Sequence, residues 1–146
     1  MTTKADFDEQ EWEQVLSGPP MAGMLVITAH GGGMMRETFA MAKAYGEARK
    51  QHGKSELLDE IVTAKPERDH THHRSYDELE RHVVELLQDA VETVQRKATP
   101  EEVEDYRRFI LTLARRVAER HKEDGVQVSP SEQAAIDAIA AALGAG

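Results

Sequence analysis

The stretch SYDELERHVVELLQDAVETVQRKATPEEVEDYRRFILTLARRVAERHKEDG, residues 75–125, decides the fold. Leu79, Val83, Leu86, Ala90 and Val94 recur at spacings of three and four, the repeat of one face of an α-helix. Glu80, Arg81, Glu85, Asp89, Glu92 and Arg96 fall mostly on the other face. Ser75 with Glu78 makes a capping box at the start. Thr99-Pro100-Glu101-Glu102 makes another, with proline at a first helical position where its missing N–H costs nothing. Val103, Tyr106, Ile110, Leu113 and Val117 then follow as a heptad seam. Glu101, Glu102, Glu104 and Asp105 crowd the start of this second helix; Arg115, Arg116, Arg120 and Lys122 crowd its end, as the macrodipole favours. Asp124-Gly125 stops it. Two helices of about 23 residues, joined at Ala98-Thr99, predict an antiparallel hairpin.

The flanks extend the same pattern. Ser129-Pro130-Ser131-Glu132 is a third capping box, opening a last helix with Ile136, Ile139, Ala140 and Leu143. Near the start, Asp8 and Glu11 form a cap, and Phe7 and Trp12 stand at hydrophobic-staple spacing. Ser17-Gly18-Pro19-Pro20 predicts a firm end to this short helix. Met21 to Ala29 (MAGMLVITA) is apolar throughout, the mark of a buried helix, although a buried strand has the same pattern. His30-Gly31-Gly32-Gly33 breaks the run. MMRETFAMAKAYGEARKQ from Met34 and ELLDEIVTA after Ser55 predict two more helices, ended by Gly53 and Pro66. Residues 65–74, KPERDHTHHR, read as an exposed loop. The expectation is one all-α domain over 1–146: six or seven helices, orthogonal or bundle-like, around the central hairpin.

Composition narrows the function classes. The 146 residues carry 18 Lys and Arg against 27 Asp and Glu, a net charge of −9, which suits a phosphate backbone poorly and argues against nucleic acid as partner. There is no cysteine, so disulfides, iron–sulfur clusters and thiol chemistry are excluded. No run approaches the roughly 20 apolar residues of a membrane span. The opening MTTKADFDEQEWEQ is acidic and has no signal-peptide core, so a cytoplasmic location is expected.

Few residues point to chemistry. His70, His72 and His73 cluster in the 65–74 loop, with Glu67 and Asp69 beside them. Clustered imidazoles can bind a transition metal, and they gain charge below about pH 6.5. A solvated polar loop is the simpler reading of the same residues. A di-iron bundle needs paired Glu-x-x-His motifs on helices, and the one such spacing, Glu67 to His70, lies in this loop. His82 and His121 stand singly on charged faces. The His30–Gly33 turn lacks the Gly-Lys-Ser/Thr ending of a phosphate loop. Ser55, Ser75 and Ser129 serve as helix caps, and no Ser–His–Asp set stands out. Met21, Met24, Met34, Met35 and Met41 suit core filling, with adaptable partner binding as the alternative.

The unit LTLARRVAERHKEDGVQVSPSEQAAIDAIAAALG, a helix, an Asp-Gly turn, Val-Ser-x-x-Glu and a helix, resembles the TerB-like family of tellurite-resistance and co-chaperone-associated helical domains. About 35 residues carry the likeness well. A second turn, His30-Gly31 before Glu37, carries it less well, since His30 stands where the family has an aspartate. The resemblance implies an all-helical fold and a stress-associated setting, and it implies no enzyme. In TerB-like domains the acidic turn residues are associated with a divalent metal, which carried over gives Asp124 and Glu132. The expected function is thus a non-enzymatic binding or scaffold module with a protein partner, a second copy of the chain being one. The alternative is a metal-binding protein using the 67–73 loop or the acidic turn residues.

Overall fold

A computed structural model describes residues 4–30, 75–123 and 130–144, together with residues 43, 45, 46 and 61. Among these residues the secondary structure is helical, with no strand. A 3-10 turn at Lys4–Asp6 leads into α1 (Glu9–His30), followed by α2 (Tyr76–Lys97), α3 (Pro100–Glu123) and α4 (Pro130–Leu143). The helices expected after Met34 and Ser55 lie outside the described residues.

The predicted local signals hold where they can be seen. At the start of α1, Asp8 N–H donates to Glu11 Oε1 (3.0 Å) and Glu11 N–H donates to Asp8 Oδ1 (2.8 Å). The Phe7 and Trp12 ring centroids are 5.6 Å apart, which closes the staple. Glu78 N–H donates to Ser75 Oγ at 3.2 Å, capping α2. Thr99 and Glu102 exchange two bonds of 3.2 Å, a complete capping box on α3. Gly144, at φ 71°, closes α4 in the left-handed conformation that glycine adopts without strain.

One expectation fails. The chain does not break at Ser17–Pro20: α1 runs from Glu9 to His30 with Pro19 and Pro20 inside it. A proline at position 19 removes the N–H that would reach the Val15 carbonyl. The Tyr106 hydroxyl of α3 donates to that carbonyl instead, at 2.7 Å. A Cβ on Gly18 would overlap the same hydroxyl, so the glycine is what lets the phenol approach. With the Val15 carbonyl served from outside, the apolar residues on both sides of the prolines share one continuous helix. Val15, Leu16, Met21, Ala22, Leu25 and Val26 are all buried.

This long helix packs on α2, α3 and α4, and its contacts with α2 are the most extensive. Helices α2 and α3 share the Ala98–Thr99 joint, yet they touch each other less than each touches α1. The α3 seam residues Val103, Tyr106, Ile110, Leu113 and Val117 are buried, joined by Phe109, Ala114 and Ala118. On α2 the buried arc takes in Leu87 and Val91, while Leu86, expected inside, is half-buried. The arc is wide because two neighbours, α1 and α4, cover it rather than one. Ile136, Ile139 and Leu143 of α4 complete the core, with Ala140 at its edge.

Polar ties fix α1 against α2 in antiparallel order. Lys97 Nζ sits 3.0 Å from Glu11 Oε1 and donates to the Asp6 carbonyl, also at 3.0 Å. One turn further along α1, Thr93 Oγ1 donates to Gln14 Oε1 at 3.0 Å. The Asp8 N–H bond, with Lys97 beside it, holds the Glu11 carboxyl below the usual range.

Candidate functional site

Of the five residues that sequence reasoning proposed as ligands, His70, His72, His73, Asp124 and Glu132, one falls among the described residues. His70, His72, His73, Glu67, Asp69, Asp124, Glu37 and the side chains of His30 and His121 lie outside the described residues. Glu132 is described: it stands in the first turn of α4 and is fully buried. That position suits a carboxylate that serves the free N–H groups of a helix start. Among the described residues no group of three or more His, Asp or Glu side chains could hold a metal. His82 is half-buried on α2.

Several hydroxyls are committed to structure. Ser17 Oγ donates to the Glu13 carbonyl and Thr28 Oγ1 to the Met24 carbonyl, each at 2.8 Å within α1. Tyr106 is fully enclosed, and burial, with Tyr45 nearby, pushes its phenol far above its ordinary value. It therefore stays a neutral donor to Val15. Tyr76 is pushed up to about 12, first by burial and then by the Glu80 carboxylate. Tyr45 packs edge-on against Phe109, with centroids 5.2 Å apart.

The site that the structure adds lies on the outer side of α3. Glu104, Arg107, Arg108, Leu111, Thr112 and Arg115 line an open groove of about 230 Å³. They fall there because residues one and two helical turns apart share a face. Arg107 is the enclosed member: its side chain keeps 18% of its exposure, against 73% for Arg108 and 53% for Glu104. Its Nη1 stands 3.7 Å from Glu104 Oε1, beyond hydrogen-bond reach, and its Nε is buried with no hydrogen-bond partner. Arg108 Nη1 stands 3.6 Å from Asp105 Oδ1. Arg115 is exposed. The arrangement can accept negative charge.

Sequence reasoning read Arg115 as a macrodipole partner and passed over Arg107 and Arg108. The available signal was three arginines within nine positions of one helix in an otherwise acidic chain. No known protein family, curated protein or solved structure matches this chain.

Proposed function

We propose that this chain is a non-enzymatic helical binding or scaffold module of TerB-like fold, acting in the cytoplasm in a stress-associated setting. In this reading six or seven helices form a single domain over 1–146, with the hairpin of α2 and α3 as part of its frame. The observation that carries it is how the polar residues are used. Asp8 with Glu11, Ser75, Thr99 with Glu102, and Tyr106 are each engaged in capping or joining helices. What the described outer surface presents is charge on a helical frame, which is the equipment of a binding module.

The proposed partner is a protein, a second copy being the simplest. The α3 seam residues are buried within the single chain. Light scattering over a range of concentrations tests the second copy as partner, and a constant monomer mass would remove the homodimer. Elemental analysis tests the rest. A stoichiometric metal lost on His72→Ala with His73→Ala, together with a zinc-induced rise in melting temperature, would replace the scaffold reading with a metal-binding one.

A further inference from the structure

The groove on α3 holds a half-buried guanidinium whose Nε is buried without a hydrogen-bond partner among the described residues. Arg107 has five donors: its enclosed Nε has no hydrogen-bond partner, Glu104 stands 3.7 Å from its Nη1, and its Nη2 lies beside Gly144 at the C-terminal end of α4. Buried polar groups are rarely left in this state, because the lost hydration is costly. Two further arginines share the cavity, Arg108 and Arg115, together with the Thr112 hydroxyl and the Leu111 side chain. Three cations face one lining carboxylate, Glu104, and with Asp105 counted beside Arg108 the balance is still positive. This stands out on a chain of net charge −9.

We propose that this groove binds a small oxoanion ligand, a carboxylate or a phosphate ester with a short carbon stem. A planar guanidinium matches the oxygens of either group in a bidentate way. Arg107 meets the anionic group at the enclosed end and Arg115 steadies it from the exposed end. Thr112 supplies a hydroxyl donor, and Leu111 covers the carbon stem. At about 30 Å³ per water, a cavity of about 230 Å³ suits a ligand the size of several waters rather than a nucleotide cofactor. The inference deepens the binding-module reading and rests on it, since the ligand is held and not changed.

The test titrates the full chain with succinate and with phenyl phosphate, ionic strength being held constant with sodium chloride. Melting temperature and the arginine Nε–H resonances are followed. Saturable binding of one or both is expected, and the tighter one identifies the oxoanion. Arg115→Ala, at an exposed position, should weaken binding about tenfold, the usual scale of a charge-assisted contact. Glu104→Gln should tighten it about threefold by removing a repelling charge. Arg107→Leu should abolish it. A response no greater than that to chloride, or one unchanged by Arg115→Ala and Glu104→Gln, overturns the proposal. Conversion of succinate, or release of phenol, would support the groove while overturning the non-enzymatic reading.

Discussion

Val15 lies four residues before Pro19, which has no N–H to give it, and Tyr106 makes good the deficit from 91 positions away. Three residues act as one device: proline opens the acceptor, glycine clears the approach, and tyrosine supplies the donor. Tyr106→Phe should cost about 1–3 kcal/mol, because a buried carbonyl is left without a donor. Gly18→Ala should be destabilising in the natural chain and much less so in the Tyr106→Phe background, where the overlapping hydroxyl is gone. A double-mutant cycle by urea unfolding measures this, and simple additivity would refute the device.

At the scale of the element, the helix ends explain why α1 and α2 sit antiparallel. Glu11 in the first turn of α1 meets Lys97 in the last turn of α2, so each charge complements its own helix dipole and the other's charge. The folded Glu11 carboxyl is depressed, so its stabilisation is present above the unfolded value near 4.5 and is lost as pH falls through the lower folded value. Glu11→Gln should therefore flatten the acid limb of the stability curve, read from denaturant midpoints between pH 5 and 2. An unchanged acid limb would show that the carboxyl adds nothing. Thr99→Ala, which strips the α3 cap, should cost about 1 kcal/mol at neutral pH.

Across the whole molecule the core is built around α1, which meets each of the other three described helices. Leu25 is fully buried in it, and Leu25→Ala should cost about 2–5 kcal/mol through lost burial and a cavity. The single tryptophan, Trp12, is buried at one end of this helix, so its fluorescence reports the loss. Alkaline behaviour tests the same packing from the α3 side. The enclosed Tyr106 phenol is raised, so the folded state holds its full stability below the unfolded value near 10 and loses it as pH rises beyond that value. Tyr106 should ionise only with unfolding; a phenolate absorbance that grows at high pH with an intact helical signal, in excess of the other two tyrosines, would refute its enclosure.

The caps at Asp8, Ser75 and Thr99 and the apolar faces of α2 and α3 were legible because they are short-range: a side chain three residues from a backbone N–H, or a repeat set by 3.6 residues per turn. Those rules determined the helical structure of the described residues and where most described helices begin. They could not decide that α1 passes through two prolines, because the donor that serves the Val15 carbonyl comes from α3. Nor could they decide that Leu87 lies deeper than Leu86, which depends on two neighbouring helices. The groove at Arg107 belongs to the same class. Its arginines are visible in the sequence, whereas the enclosure that leaves the Arg107 Nε without a hydrogen-bond partner exists only after the helices have packed.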